Sequence, residues 1–238
     1  MILPPRMPAP VRALRWALGL AITLAFPLSA LAVFRFGADR RDAADVLACV
    51  YAFGLTLLFS SSLLPLRALA GFTRDQRIAS AAVLFLGVSY ATHLTWELGW
   101  LLLFDTIRES PDALWAYPWW AYIDGGDARF LHGPPELFGI EALSVANALV
   151  GVTAMGRFFR GRGTRRAPVL ALMGTAIVHF YSATLYYLSE FFGGMTNVDT
   201  TRFVNLWIKF GLTNLPWVVM PWFVLVWGRR AILGRGPA

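Results

Sequence analysis

The sequence predicts an all-α, polytopic membrane protein of six helices, and three observations carry that prediction. Hydrophobic residues fill 57% of the 238 positions and charged residues only 15%, with a mean hydropathy of +0.56, outside the range of soluble globular chains. The apolar residues gather into six runs of about 20 residues or more, the length that crosses a bilayer core. None of the runs shows the period-2 alternation of a membrane β-barrel.

The six runs lie at 12–34, 45–70, 77–104, 137–157, 167–190 and 203–228. The loops between them set an orientation. Arg67, Arg74 and Arg77 separate the second run from the third, Arg157, Arg160, Arg162, Arg165 and Arg166 separate the fourth from the fifth, and Arg229, Arg230 and Arg235 follow the sixth. By the positive-inside rule these loops face the cytoplasm. The longest connection, 105–136, carries Asp105, Glu109, Asp112, Asp124, Asp127 and Glu136 against two arginines, so it faces the other side and both termini lie inside. Arg35, Arg40 and Arg41 in the first loop dissent, partly offset by Asp39 and Asp42. The net charge of +7 is thus a signal of membrane orientation, and no nucleic-acid partner is expected. The lone Cys49 rules out a disulfide framework.

The first run has a rival reading. Arg6, Arg12 and Arg15, an apolar stretch and Ala30-Leu31-Ala32 together have the form of a secretory signal with an A-x-A cleavage site. Because the apolar stretch continues through Phe34, a retained helix is the better reading. The chain then divides into an N-terminal extra helix and loop (1–44), a membrane core (45–228) and a basic cytoplasmic tail (229–238).

Ionisable and amide side chains at bilayer depth cost a few kcal/mol on insertion scales and mark function by default. His93, Glu97, Glu141, His179, Glu190 and Asn214 are the candidates. His93 and Glu97, four apart, share a helix face. Glu141 has Ser144 three residues on, and Asn214 has Trp217 three residues on. A polar clamp between helices would explain the His/Glu pair nearly as well. Glu190 and Lys209, near the ends of their runs, read as residues that snorkel to water, and His179 as a packing histidine. Trp115, Trp119 and Trp120 read as interfacial belt residues. A zinc site is weak, since HLTWE supplies one histidine and no second one follows on that helix; no G-x-S-x-G or glycine-rich phosphate loop is present. What remains is a set of carboxyl groups, an imidazole, an amide and an indole in an apolar setting, suited to moving protons on a hydrocarbon and stabilising a cation on a π-face.

Five stretches then resemble one family. "WWAYIDGGDARF" followed by "GIEALS" is similar to the W-x-x-Y, G-D-x-R-Y and E-x-x-T of the emopamil-binding protein family, the sterol Δ8–Δ7 isomerases of the wider EXPERA group. "HLTWE", "FYSATLYYLSE" and "NLPW" resemble its H-x-x-x-E, its Y-x-x-x-L-Y-F-L-T-E helix and its N-A-L-W, in the same order, over residues 45–228. The resemblance implies a five-helix core to which 12–34 is added, and a catalytic set of His93, Glu97, Glu141, Asn214 and Trp217. It implies substrate-binding or supporting roles for Ser144, Trp119, Tyr122, Asp127, Arg129, His179, Tyr181 and Tyr186. Phe130 stands where the family motif has Tyr and Ser182-Ala183 where it often has Gly-Asp, departures that imply a pocket shaped for another substrate, while His179 stands at a polar Gln position and keeps a hydrogen-bonding group there. The sigma-two branch fits less well, because its ligand-pairing Asp would fall on Leu101.

The expected activity is a double-bond shift in a sterol or polycyclic terpenoid: protonation of an alkene, stabilisation of the carbocation and loss of a neighbouring proton. The His93/Glu97 pair is the expected donor unit and Glu141 the base or cation stabiliser. No metal or redox cofactor is required. Membrane lipids surround the protein, cationic amphiphilic amines would inhibit it as cation mimics, and the resemblance implies homodimers, though no helix has a clear small-xxx-small face. A non-catalytic lipid-binding protein and a terpenoid cyclase are the alternatives. The host membrane would be the bacterial inner membrane or the endoplasmic reticulum, depending on the source.

Overall fold

The computed structural model describes residues 4–161 and 166–234; Arg162, Arg165 and Arg235 of the basic loops lie outside them. Among the described residues the chain is helical throughout, and six helices are long and apolar enough to cross a membrane. The protein is an integral, multi-pass helical bundle. Its elements are α1 (Ala9–Phe36), α2 (Arg40–Ser60), α3 (Arg74–Thr92), a π-helical turn (His93–Glu97), α4 (Leu98–Arg108), α5 (Tyr117–Ile123), α6 (Arg129–His132), α7 (Pro135–Arg160), α8 (Arg166–Phe192), a second π-helical segment (Val204–Leu212) and α9 (Pro216–Leu233).

Local chemistry sets the ends. Gly37 closes α1 in the left-handed region (φ 68°), and Asp39 caps α2 by accepting the Asp42 amide at 3.0 Å. α3 starts with a capping box: the Gln76 amide donates to Thr73 Oγ1 at 3.3 Å and the Thr73 amide to Gln76 Oε1 at 2.9 Å. Such caps satisfy amides that the first turn leaves without helical partners. The second run predicted to 70 ends as a helix at Ser60 instead. Ser61 Oγ donates to the Leu58 carbonyl and Ser62 Oγ to the Arg77 carbonyl, which competes with helix hydrogen bonds, and Pro65 cannot continue the ladder.

α8 packs between α7 and α9, α3 contacts both α7 and α9, and α1 lies along α2. Two apolar cores result. One surrounds Phe85, Leu86, Tyr90 and Trp227 between α3, α7, α8 and α9; the other surrounds Trp100, Trp120, Phe130 and Leu137, where α4 to α7 meet. Trp120 is therefore a core residue, its N–H donating to the Ile107 carbonyl at 2.8 Å, and only Trp115 of the three expected belt tryptophans is well exposed, at 45%.

The loop at 37–39 and the 105–136 connection share one end of the bundle, because Arg40 Nε pairs with Asp124 at 2.7 Å and its Nη1 donates to the Pro111 carbonyl at 2.7 Å. The dissenting Arg40 is thus engaged with the acidic connection. At the opposite end Arg230 pairs with Asp75.

Candidate functional site

The π-helical turn His93–Glu97 shapes one wall of the site. The Leu98 amide reaches back five residues to the His93 carbonyl, the pattern of π-bulges that recur at functional positions. In this turn residues four apart meet, and His93 Nδ1 contacts Glu97 Oε2.

The other ring nitrogen is crowded with polar neighbours. Trp217 Nε1 points at Ser89 Oγ (2.7 Å) and His93 Nε2 (3.2 Å), while Ser89 Oγ and His179 Nδ1 lie 3.1 and 3.2 Å from the same Nε2. An indole N–H can only donate. His93 Nε2 is then the acceptor of a neutral ring, its proton sits on Nδ1, and that proton is donated to Glu97. His179 stacks on His93 with ring centroids 4.9 Å apart and is held near Asn147, whose Nδ2 donates to the Thr175 carbonyl at 3.0 Å. His179 is thus part of the His93 network as well as a packing residue.

Glu141, 5% exposed on α7, lies against Glu97, close enough for the two carboxyl groups to interact. A carboxylate has no donor, so a hydrogen bond between the two needs a proton on one of the pair. Because Glu97 already accepts from His93, the directions close if Glu141 carries the proton.

These groups open onto a cavity of about 460 Å³ lined by residues of α1, α2, α3, α5, α7, α8, α9 and both π-helical segments. His93, Glu97, Glu141, Ser144, His179, Tyr122, Tyr186, Asn214 and Trp217 all line it. Most of the remaining lining is apolar, including Ile22 and Phe26 of α1.

The resemblance also drew attention to a loop, and that loop reaches the cavity through a chain of hydrogen bonds. Asn214 Nδ2 donates to Tyr122 Oη (3.0 Å), Tyr122 to Tyr186 Oη (2.6 Å), and Tyr186 to Asp127 Oδ2 (2.6 Å). Burial, aided by the Asp127 charge, pushes the Tyr122 phenol up, which keeps it a donor. Asp127 is fully buried and paired with Arg129, with Nη2 to Oδ2 at 2.6 Å. Arg129 also donates to Ser189 Oγ at 2.7 Å and lies 3.4 Å from Glu190. Asp127 and Arg129 thus sit behind the cavity wall. Trp119 lies behind it too: its N–H donates to the Trp96 carbonyl at 3.0 Å, and its ring packs on Gly99, where a Cβ would come within 2.7 Å.

Three sequence expectations need correction. Tyr181 is 55% exposed and points out of the bundle; two positions after His179 a helix has turned about 200°. Glu190 does not snorkel but is 1% exposed, accepting from the Asn197 amide (2.7 Å) and Nδ2 (3.0 Å). Lys209 is also 1% exposed and lines the cavity. Sequence reasoning missed Ser89 and Asn147. Ser89 was within reach, standing one turn before His93 on the same face.

No known protein-family profile, curated protein or solved structure matches the chain.

Proposed function

We propose that the protein is a membrane-embedded isomerase that shifts a carbon–carbon double bond in a sterol or other polycyclic terpenoid, the activity implied by its resemblance to the emopamil-binding protein family. The observation that carries the reading is the Glu97/Glu141 carboxyl contact inside an apolar cavity, bounded by the Trp217 indole. It supplies a neutral acid, a carboxylate and a π-system within one chamber.

The hydrogen-bond directions favour Glu141 as the acid, the reverse of the sequence expectation. Glu141 gives its proton to one alkene carbon; the π electrons form the new C–H bond and leave a cation on the neighbouring carbon. The ionised Glu97 and the indole of Trp217 stabilise that cation. A carboxylate then takes a proton from the adjacent carbon, the C–H electrons become the new double bond, and the acid is restored. His93 holds Glu97 in place by donating from Nδ1, and Trp217 and Ser89 hold His93. A rigid, mostly hydrocarbon polycyclic lipid suits a largely apolar chamber of this volume.

The test is isomerisation of a Δ8 sterol by membranes containing the protein, run in D₂O. Wild type is expected to shift the bond and incorporate deuterium. Glu97→Gln and Glu141→Gln, shown to be folded, are expected to lose about 10²- to 10⁴-fold in rate, the range for general acid–base catalysis. Variants that isomerise at the wild-type rate would refute the reading, and a wild type that binds sterol or cationic amphiphiles without turnover would favour the non-catalytic lipid-binding alternative. The host membrane, bacterial inner membrane or endoplasmic reticulum, follows from the source.

A further inference from the structure

Twenty of the 21 basic residues are arginine; the single lysine is Lys209. It is 1% exposed inside a membrane-spanning helix and lines the cavity. A charged side chain buried within a membrane-spanning segment is costly, and such residues mark function by default. Its ammonium pairs with Asp45 Oδ1 at 2.8 Å and donates to the Asp124 carbonyl at 2.8 Å. An ammonium has three donors, and among the described residues no third partner meets this one.

The surroundings are built around it. Arg202 Nη2 takes the other oxygen of Asp45 at 2.8 Å, so the Asp45 charge is shared between two cations and does not cancel Lys209 alone. Gly126 allows the loop to come close: a Cβ there would stand 3.3 Å from Lys209 Cβ and 2.3 Å from the Tyr122 carbonyl. The lysine lies in the π-helical segment Val204–Leu212, against the end of the bundle that carries Asp124 and the start of α2.

We propose that Lys209 is a second binding determinant of the cavity, donating its remaining N–H to an oxygen, hydroxyl or ketone, on one end of the lipid. The ligand would thus be an oxygenated polycyclic lipid held with its oxygen at the Asp124 end and its hydrocarbon rings at the Glu97/Glu141 pair. An amphiphilic lipid taken from a bilayer presents its oxygen at the headgroup level, which is where an end-of-bundle donor can meet it. The inference rests on the cavity as a lipid site but not on turnover. It names the residue that meets the ligand's oxygen, which the isomerase reading leaves open.

The experiment uses the full chain in phosphatidylcholine nanodiscs and three photoreactive cholestane probes that differ only at carbon 3: hydroxyl, ketone or no oxygen. Wild type is expected to be labelled by one or both oxygenated probes at least about tenfold more efficiently than by the deoxy probe, the scale of one hydrogen bond to a charged donor. Lys209→Met, and a Lys209→Met/Asp45→Asn double variant that removes both charges, are expected to lose that preference while still accepting the deoxy probe. Equal labelling of wild type by all three probes overturns the proposal, as does an unchanged preference in the double variant. A wild type that discriminates among the probes but fails to isomerise overturns the isomerase reading alone.

Discussion

The Trp217 indole N–H donates to Ser89 Oγ at 2.7 Å across 128 residues of sequence, joining α9 to α3 at the cavity wall. The same hydroxyl lies 3.1 Å from His93 Nε2. Ser89 therefore fixes two of the groups that bound the site without lining the cavity itself.

Ser89→Ala is expected to weaken both placements. The indole N–H would keep only its 3.2 Å approach to His93, and the loss of one buried hydrogen bond costs about 0.5–1.5 kcal/mol in stability. The proposed isomerisation should fall about tenfold, since positioning errors act on the transition state. Ser89→Thr, which keeps the hydroxyl, should recover most of the rate. Thermal unfolding in detergent and sterol turnover measure the two effects, and equal losses in the Ala and Thr variants would assign Ser89 to packing alone.

Gly151 and Gly228 give opposite expectations for the same substitution. A Cβ on Gly151 would stand 2.1 Å from the Tyr90 ring, which is held in place by a 2.6 Å bond from its hydroxyl to Thr175. Gly151→Ala should therefore separate α3 from α7 and cost about 1–3 kcal/mol. A Cβ on Gly228 meets Met173 Cγ and Sδ at 2.4 and 2.5 Å, but an unbranched methionine side chain can move aside. Gly228→Ala should stay within about 1 kcal/mol of wild type, helped by the higher helix propensity of alanine. Unfolding midpoints of the purified variants compare them directly.

Arg129 stands between Asp127 and Glu190, two carboxylates that are each almost fully buried. Arg129→Met should destabilise by about 3–5 kcal/mol, because it leaves buried charge without its partner. Arg129→Lys should recover only part of this, since a single ammonium cannot reproduce the fork that spans Asp127 Oδ1 and Oδ2 and Ser189 Oγ. The yield of monodisperse protein after detergent extraction, with its unfolding midpoint, tests the order wild type, Lys, Met.

The membrane spans were legible because hydropathy is a local property and bilayer thickness fixes its length. The end of α2 was harder to read, since serine hydroxyls and a proline act within a run that is still apolar. His93, Glu97, Glu141, Asn214 and Trp217 could be picked out as polar or amphipathic groups in apolar helices, and all five line one cavity. The fates of Lys209 and Glu190 could not be read so directly. Lys209 finds Asp45 164 residues earlier, and Glu190 meets Arg129 61 residues earlier; no periodicity within a helix reports such partners. The π-helical turns were equally hidden, because five residues are too few to distinguish their spacing from that of an α-helix.

The sequence of α1 also reads as a signal peptide. Arg15 Nε donates to Ser61 Oγ at 2.8 Å and Arg15 Nη2 to Ser80 Oγ at 3.0 Å, so α1 is tied to the α2–α3 corner. Further along, Ser29 Oγ lies 2.6 Å from the Tyr117 hydroxyl. Ile22 packs so close to Gly54 that a Cβ there would approach within 2.9 Å, and Ile22, Thr23 and Phe26 line the cavity. A cleaved leader would have no need of these contacts. Protein expressed from this sequence and extracted from membranes should keep α1, with an intact mass near 26.4 kDa. Removing residues 1–36 should open the chamber to lipid on the α2 side and weaken retention of the photoreactive steroid probes. A mature chain that begins after Ala32 and binds the probes as tightly as the full-length protein would show that α1 is dispensable to the site.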